Sequence, residues 1–419
     1  MLILYLCMFM TFLYNIIVLI VSFILKIIAL FNQKIALFIN GRKETWKKIK
    51  EGISEKDKVI WMHCASLGEF EQGRPILEKL KELHPTKKIV LTFFSPSGYE
   101  IRKNYELADI VCYLPLDSKK NVQKFLDMLN PVLVLFVKYE FWPNYLNELK
   151  KREIKTFLIS GIFRKNQLFF KWYGGYLKKA LNAFTHFFVQ DETSNQLLKS
   201  INFNNITVSG DTRFDRVFEI TQQNNHLQFI QEFVNNSYTV VAGSTWKDDE
   251  DLLVNYINTK ASKNEKFIIA PHNINSDAIK ELKASIHKKV VMFSEKERQN
   301  IAEFQVFIVD TIGILTKIYS YANVAYVGGG FTKSGVHNVL EPATFGIPIV
   351  IGPNYFKFNE AKDLIKNEAC FVVDNSQKLS VLLNEFFQQK TKREQAGKNA
   401  LNYVKNKTGA TAKILNYLQ

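Results

Sequence analysis

The sequence has few of the residues that mark disulfide-linked, repetitive or disordered chains. It contains four cysteines among 419 residues, and no two of them form a Cys-x-x-Cys pair. This excludes a disulfide framework and a cysteine-rich zinc site, and it indicates a reducing compartment. Ten prolines and 19 glycines exclude a collagen-like or low-complexity chain. Hydrophobic residues at 47% and charged residues at 23% are typical of a folded protein and exclude intrinsic disorder.

Charge is missing from the start of the chain. Residues 1–25 contain no charged side chain. As a helix, residues 2–25 span about 36 Å, against about 30 Å for the hydrocarbon layer of a bilayer. No basic residue precedes Lys26 and no Ala-x-Ala follows, which disfavours a cleaved signal peptide. We therefore predict that residues 1–30 form a membrane anchor, the alternative being a buried core helix.

The segment after the anchor is basic. From Lys26 to Lys58, both included, there are nine Lys or Arg and four Asp or Glu. Since basic residues flank membrane helices on the cytoplasmic side, the rest of the chain is expected in the cytoplasm. Residues 31–57 are interpreted as a juxtamembrane segment that lies on anionic headgroups, or else as a solvated linker. The formal net charge of +15 also favours anionic partners, namely nucleic acid, lipid or a phosphorylated small molecule.

The remainder of the chain alternates short apolar runs with longer helical patterns. Uninterrupted apolar runs are typical of strands buried on both faces, and their alternation with helices predicts parallel sheets. Thirteen strands are too many for one sheet. We therefore predict an α/β protein with two Rossmann-like domains, 58–215 and 216–400, followed by a C-terminal helix at 401–419. The predicted strands are residues 58–62, 89–93, 132–137, 156–159, 186–189, 206–208, 238–242, 267–270, 290–293, 306–309, 324–327, 348–351 and 370–373.

Two glutamates directly follow predicted strands of the first domain, where open parallel sheets bind their ligands. Glu69 ends the segment His-Cys-Ala-Ser-Leu-Gly-Glu at 63–69. It is either a general base or a carboxylate that stabilises a helix N-terminus. Glu140 lies in Tyr-Glu-Phe-Trp-Pro at 139–143. Glu140 has either a functional role, in acid-base or electrostatic catalysis, or a structural one. The structural role is to cap a helix or to form a salt bridge with Lys138.

A cation lies where the two domains should meet. Arg213 belongs to Gly-Asp-Thr-Arg-Phe-Asp at 210–215. A guanidinium suits phosphate and carboxylate groups, so Arg213 can supply positive charge to an anionic substrate. The alternative is an ion pair with Asp211 or Asp215.

The most specific pattern follows the predicted strand at 324–327. Gly328, Gly329 and Gly330 come first, and a His-Asn-Val-Leu-Glu-Pro run follows at 337–342. Glycine N–H groups can approach an anion, although tight turns use the same residues. Glu341 can accept hydrogen bonds from ribose hydroxyls. The spacing is not Gly-x-Gly-x-x-Gly, which disfavours NAD.

These four segments, in this order, resemble the 3-deoxy-D-manno-octulosonic acid (Kdo) transferase family. Further matching segments lie at 242–245, 248–251, 310–313 and 352–358, so the resemblance covers residues 59–365. It implies the GT-B fold, with two facing Rossmann-like halves. It also implies that the N-terminal half takes a lipid A precursor and the C-terminal half takes CMP-Kdo. The implied location is the cytoplasmic side of the bacterial inner membrane, held by the single N-terminal anchor.

The resemblance also implies roles for individual residues. Glu69 matches the catalytic base, and Glu140 and Arg213 match positions that stabilise the transition state. Four positions depart from the family pattern: His272 and Ser334 stand in place of an arginine, Ile314 in place of an acidic residue, and Arg213 in place of a lysine, which keeps the charge. The residues implied to hold the CMP portion of the donor are Pro271, His272, Ile312, Gly313, Ile314, Asn338, Val339, Leu340 and Glu341.

The implied reaction is the transfer of Kdo to lipid IV-A with inversion at the anomeric carbon, Glu69 taking the proton of the acceptor hydroxyl. We expect no metal, no other cofactor and no nucleic acid partner, and an anionic membrane surface as a further partner. Two alternatives stay open from the sequence. One is a GT-B enzyme with another nucleotide sugar, and the other is a membrane-anchored scaffold without activity.

Overall fold

The computed structural model of the chain describes residues 2–298 and 300–419. It divides into two compact units. Unit 1 comprises the chain up to Arg216 together with Thr408–Gln419, and unit 2 comprises Val217–Lys407. Each unit carries one sheet of seven parallel strands within the described residues.

The sheet of unit 1 has the strand order β3-β2-β1-β4-β5-β6-β7. The direction in which successive strands are added reverses between β1 and β4, which makes their carboxyl ends the switch point where such sheets bind ligands. The strands are β1 (Val59–Cys64), β2 (Lys88–Phe93), β3 (Ile110–Tyr113), β4 (Pro131–Val137), β5 (Lys155–Gly161), β6 (His186–Val189) and β7 (Ile206–Val208).

Helices cover both faces of this sheet, which explains why its strands lack polar alternation. In β1, Trp61 packs on one face beside Phe125, while Ile60 and Met62 pack on the other beside Ile76. Besides one helix at the end of the chain, the α-helices of unit 1 are α1 (Leu2–Ile28), α2 (Gln33–Gly52), α3 (Leu67–Leu83), α4 (Pro96–Arg102), α5 (Lys119–Leu129), α6 (Pro143–Lys151), α7 (Gly175–Leu181), α8 (Glu192–Ser200) and α9 (Thr212–Ile220), which runs across the division after Arg216.

The sheet of unit 2 has the order β10-β11-β9-β8-β12-β13-β14. Here the switch point lies between β8 and β12. The strands are β8 (Tyr238–Thr245), β9 (Glu265–Pro271), β10 (Val290–Met292), β11 (Val306–Ile308), β12 (Val324–Val327), β13 (Ile349–Ile351) and β14 (Cys370–Val372). The helices are α10 (Gln228–Val234), α11 (Lys247–Thr259), α12 (Ser276–Ser285), α13 (Leu315–Ile318), α14 (Leu340–Thr344), α15 (Asn359–Lys366), α16 (Ser376–Gln388) and α17 (Lys390–Lys405).

The structure confirms the predicted fold class, and all thirteen predicted strands are present. The sequence interpretation missed β3, a four-residue strand at the edge of its sheet. Helix α2 covers that edge. Thr45 donates its hydroxyl to the carbonyl oxygen of Tyr113 at 2.8 Å, and Lys48 donates to that of Val111 at 3.0 Å. Most of the basic segment at 31–57 is therefore a packed helix, and the alternative of a solvated linker is wrong.

The end of the chain forms two helices where the sequence predicted one. Helix α17 ends at Lys405, and α18 (Ala410–Leu418) begins after Gly409, whose φ of +102° breaks the helix. The Asp215 carboxylate accepts hydrogen bonds from the backbone N–H groups of Gly409 (2.5 Å) and Thr411 (2.6 Å). Asp215 thus fixes the start of α18 in unit 1.

Helix α1 contains a stretch, Phe9–Ile28, that is long and apolar enough to cross a membrane. Its outer side chains are open to the surroundings, and Phe12 and Phe23 are each 65% exposed. The alternative of a buried core helix is therefore wrong for this stretch. Membrane insertion itself stays a prediction.

Candidate active site

The Glu69 carboxylate lies at the switch point of unit 1, in the first turn of α3. Its Oε2 atom accepts hydrogen bonds from the backbone N–H groups of Ala65 at 2.5 Å and Ser66 at 3.1 Å. These bonds fix the turn that leaves β1. Its Oε1 atom has no hydrogen-bonding partner among the described residues, so one oxygen is held and the other can receive a proton.

The environment of Glu69 favours a carboxylate that titrates near neutral pH. Burial, and next the negative charge of Glu140, raise the pKa of Glu69 to about 7. The bonds from Ala65 and Ser66 and the charge of Lys138 act in the opposite direction but do not cancel the rise. A general base works best with a pKa near the operating pH. Glu69 thus caps the start of α3, as one interpretation of the sequence predicted. Its raised pKa is compatible with a second role as a general base.

Glu140 follows β4, the strand next to β1. Its Oε2 atom accepts the indole N–H of Trp142 at 2.8 Å and lies 3.2 Å from Nε2 of His63. His63 is fully buried, and its Nδ1 lies 2.9 Å from the hydroxyl of Thr92. Within the described structure Glu140 forms no salt bridge with Lys138, so that alternative is wrong. Glu140 is held instead by two aromatic nitrogens.

Arg213 forms an ion pair with Asp211, as the structural alternative predicted. Its Nε and Nη2 atoms lie 2.9 and 2.8 Å from Oδ2 of Asp211. Burial of Asp211 favours its neutral form, but the Arg213 charge and the hydrogen bonds outweigh burial and lower the pKa of Asp211. Gln72 donates to Asp211 at 3.1 Å. Gln72 lies one turn after Glu69 on α3. Its hydrogen bond to Asp211 therefore places the Asp211–Arg213 pair at the same edge of unit 1 as Glu69.

An open cavity of about 460 Å³ adjoins Glu140. Aromatic and aliphatic side chains supply much of its wall, among them Phe141, Trp142 and Leu168. Close by in sequence, Trp172 is 90% exposed. Beside the carboxylates, unit 1 therefore offers a largely apolar surface.

The three glycines after β12 lie at the switch point of unit 2, but two of their N–H groups are already engaged. Gly328 donates to the carbonyl oxygen of Gly243 at 2.9 Å, and Gly329 donates to the buried carboxylate of Asp249 at 2.9 Å. A Cβ atom at Gly330 would lie 2.5 Å from the backbone of Gly352. These glycines permit tight packing of neighbouring loops, and the interpretation of the first two as anion ligands is wrong.

Replacing Gly330 by Ala is expected to lower the free energy of unfolding by at least about 2 kcal/mol, because backbone atoms must move to admit the new methyl group. Thermal unfolding followed by circular dichroism measures the loss. Gly68→Ala is the matched control, since a Cβ atom there meets nothing within 4 Å. Equal melting temperatures for the two variants would contradict this prediction. They would show that the loop at Gly330 moves to admit a methyl group without lowering the free energy of unfolding.

Three rings form a stack beside these glycines. Trp246 donates its indole N–H to Nε2 of His337 at 2.9 Å, with the two rings nearly coplanar at 4°. His272 stacks on both, with centroid distances of 4.7 Å to Trp246 and 4.3 Å to His337. Burial, and next the nearby His272, lower the pKa of His337 to about 4. His337 is therefore neutral at pH 7 and acts as an acceptor.

The Glu341 carboxylate joins two segments predicted to bind the donor. It accepts hydrogen bonds from the hydroxyl of Thr316 at 2.9 Å and from the amide of Asn338 at 3.0 Å. Val339 and Leu340 are almost completely buried, at 1% and 0% exposure. Neither residue, side chain or backbone, is open to a ligand in this structure, so the prediction that Val339 and Leu340 contact the donor directly is wrong.

The loop after β11 is more open. Ile312 is 81% exposed, and Gly313 has a φ of +90° with no atom within 4 Å of an added Cβ. Ile314 is partly buried against the core of unit 2. Pro271 ends β9, and His272 follows it. Besides Pro271, the other eight predicted donor residues thus come after β9, β11 or β12.

Sequence reasoning missed several partners because they come together only in the fold. His63 and Glu140 are 77 residues apart, and Trp246 and His337 are 91 residues apart. For Glu140 and Trp246 the available signal was their position shortly after the ends of β4 and β8, whereas His63 lies inside β1 and His337 lies ten residues after β12. No cluster of three or more His, Cys, Asp or Glu side chains suited to a metal is found among the described residues. The expectation of a metal-free reaction stays a prediction.

Comparison with known proteins places this geometry in context. Residues 40–216 match the sequence model of a family described as 3-Deoxy-D-manno-octulosonic-acid transferase (kdotransferase). The chain is 29% identical to the 3-deoxy-D-manno-octulosonic acid transferase of Aquifex aeolicus, over 81% of this chain and 89% of the relative. It is 24% identical to the protein of the same name in Chlamydia trachomatis serovar A, over 90% of this chain and 91% of the relative.

Among solved structures, the chain is similar to UDP-GlcNAc 2-epimerase from Neisseria meningitidis bound to UDP-GlcNAc. The TM-score is 0.58 with 14% identity, over 86% of this chain and 99% of that chain. This likeness concerns the fold alone, and it supports the assignment of both units to the GT-B class.

Proposed function

This chain belongs to the Kdo transferase family and is a glycosyltransferase, and on that premise we propose that it transfers Kdo from CMP-Kdo to the lipid A precursor lipid IV-A. The observation that carries the proposal is the pair of carboxylates at the switch point of unit 1, Glu69 and Glu140. Family membership sets aside the alternative of a scaffold without activity. Transfer of a different sugar by the same fold is the remaining alternative.

Glu69 activates the acceptor. Its Oε1 atom takes the proton of a sugar hydroxyl of the lipid while that oxygen attacks the anomeric carbon of Kdo. CMP leaves from the opposite side, so the configuration at that carbon is inverted. A positioned base contributes about 10²- to 10⁴-fold to such a step.

Glu140 and Arg213 provide fixed charge around the reaction. The Glu140 carboxylate is oriented by Trp142 and His63, so it can offset positive charge that develops on the transferred sugar. Arg213 supplies positive charge to an anionic substrate while Asp211 fixes its direction. Groups that are held in place before the reaction stabilise developing charge without reorganising.

Unit 2 takes the donor. The Glu341 carboxylate accepts hydrogen bonds from the ribose hydroxyls of CMP in addition to those from Thr316 and Asn338. The open backbone at Gly313 contacts the nucleotide, and the buried Val339 and Leu340 hold the segment that carries Asn338 and Glu341. His272 offers an exposed ring, stacked on Trp246, beside this site.

The acceptor side suits a lipid because the cavity beside Glu140 is largely apolar and Trp172 is exposed. The apolar helix at the N-terminus holds the enzyme at the bacterial inner membrane, with the catalytic units on its cytoplasmic side. Restricting enzyme and lipid to one surface raises the effective concentration of the acceptor.

The reaction is tested with full-length enzyme, CMP-Kdo and tetra-acylated lipid IV-A. Mass spectrometry should show a product that is heavier by one or more Kdo units, and NMR should show inverted anomeric configuration. A folded enzyme that binds CMP but gives no product would point to another sugar or acceptor.

The pH profile gives a second test. Because Glu69 must be ionised to act as a base and its pKa is raised to about 7, kcat/KM is expected to fall about fivefold between pH 7 and pH 6. The loss approaches tenfold for each further pH unit. Initial rates at low acceptor concentration measure it, and a flat profile down to pH 5.5 would contradict the assignment of the base.

A further inference from the structure

A large cavity lies in unit 1 between α1, α2 and the segment 115–121, apart from the carboxylates. Its volume is about 990 Å³. Lys26, Lys43, Lys119 and Lys120 line it together with Arg42, and no Asp or Glu is among its lining residues in the described structure. Phe12, Leu19, Ile39 and Trp46 add apolar wall. The cavity is thus cationic and apolar at once.

Arg42 lacks a counter-charge. The residue is 7% exposed, and its two terminal nitrogens donate to the backbone carbonyl oxygens of Phe38 and Phe94, each at 2.8 Å. Its Nε atom has no partner, and among the described residues no carboxylate lies within salt-bridge distance. Burial lowers the pKa of Arg42 to about 9. The guanidinium lies over the rings of Phe38 and Phe94, 3.5 and 4.8 Å from their centroids, which offsets part of the cost of burying its charge. Since no carboxylate neutralises that charge within the described structure, this geometry is suited to a bound anion.

Helix α1 has its polarity reversed relative to a helix on a water-soluble protein. Its inner side carries Tyr14, which donates to Asp117 at 2.7 Å, and Asn15, which accepts from Asn144 at 3.0 Å. Thr11 and Ser22 line the cavity on the same side. Its outer side is apolar and exposed. Such a helix places hydrocarbon-seeking side chains outward, next to a cationic cavity.

We propose that this cavity holds the anionic headgroup of one membrane phospholipid, with its acyl chains along the outer side of α1. The phosphate is paired with Arg42 and the cavity lysines, and the apolar wall receives the glycerol and the first methylene groups. Tyr14 and Asn15, near the middle of α1, are bonded to the body of unit 1. Helix α1 therefore lies in the headgroup region, because crossing would place those polar contacts at the bilayer midplane.

The site lies close to the catalytic carboxylates through a short series of contacts. Arg42 bonds to the carbonyl oxygen of Phe94, and the Phe94 ring stacks on Trp142 with centroids 4.7 Å apart. Trp142 in turn donates to Glu140. A lipid bound in the cavity thus stabilises the position of Trp142, the residue that orients Glu140.

Native mass spectrometry of the full chain in detergent, with phosphatidylglycerol or phosphatidylcholine added, tests the proposal. We expect one phosphatidylglycerol per chain to be retained, and phosphatidylcholine to be lost. The double variant Lys119→Ser, Lys120→Ser should bind phosphatidylglycerol roughly 30-fold more weakly, at about fivefold for each lysine. Lys155→Ser, Lys199→Ser removes the same charge elsewhere on unit 1 and should bind as the wild type does.

Other outcomes overturn the proposal. Equal retention of both lipids, or equal weakening in the control variant, would show nonspecific attraction. Displacement of phosphatidylglycerol by inorganic phosphate would indicate a phosphate site without a lipid, and displacement by equimolar lipid IV-A would assign the cavity to the acceptor. Arg42→Met is a further probe if its circular dichroism matches the wild type, and undiminished retention of phosphatidylglycerol by that variant would also contradict the proposal.

Discussion

Replacing Glu69 by Gln is expected to lower kcat for Kdo transfer by about 10²- to 10⁴-fold, the range for loss of a general base. The amide oxygen can still accept the N–H groups of Ala65 and Ser66, so the turn between β1 and α3 should persist. The affinity for CMP should not change, because the proposed nucleotide contacts come from unit 2. Single-turnover transfer and calorimetric titration with CMP measure the two quantities.

The control for this variant is Glu71→Gln. Glu71 lies two residues further along α3 and pairs with Arg102 at the surface, where both side chains are 31% exposed. It should retain nearly full activity. The residual activity of Glu69→Gln should also lose the pH dependence near pH 7. If that variant turns over at the wild-type rate, or keeps the pH dependence, Glu69 is not the base.

Much of this fold could be predicted because parallel strands buried on both faces leave an unmistakable apolar run. Strands β1 and β12, for example, agree with their predicted positions to within two residues. The position of Glu69 after β1 was equally accessible, because ligand sites follow the strands of open sheets. A short stretch of sequence is enough to predict a strand of this kind and the residue that follows it. The residues that pack against them from elsewhere in the chain need not be known.

Helix α2 could not be recognised in this way, because its inner stripe is not apolar. The side chains that face the core are Phe38, Arg42, Thr45 and Ile49. Two of these four are polar, and they are accommodated by backbone carbonyl oxygens of distant segments, such as Tyr113 and Phe94. Hydrophobic periodicity is therefore absent, and only the tertiary structure shows why a helix forms there.

The glycines after β12 show a different limit. From sequence, a glycine-rich turn is compatible with either anion binding or close packing. The choice depends on Asp249, whose carboxylate lies 2.9 Å from the backbone nitrogen of Gly329 and 2.7 Å from the hydroxyl of Tyr326. Because Asp249 is 80 residues away from Gly329, no local pattern reports that the N–H group is already engaged.

Replacing Glu341 by Ala is expected to weaken CMP binding by about 10- to 100-fold. Hydrogen bonds to a charged group each contribute about 1.5–3 kcal/mol, and the proposed bonds from the ribose would be lost. The variant also removes the acceptor of Thr316 and Asn338, which loosens two loops of the proposed donor site. Calorimetric titration of the full chain with CMP, without any acceptor lipid, measures the affinity directly.

Two further variants separate loss of contact from loss of charge. Glu341→Gln keeps the shape and one acceptor oxygen, so its affinity for CMP should fall between those of the wild type and Glu341→Ala. Glu394→Gln removes the same charge from the surface of unit 2, where Glu394 is 62% exposed, and should leave CMP binding unchanged. If Glu341→Ala binds CMP within twofold of the wild type, the ribose contact is wrong, and Glu341 serves only to join the loops that carry Thr316 and Asn338.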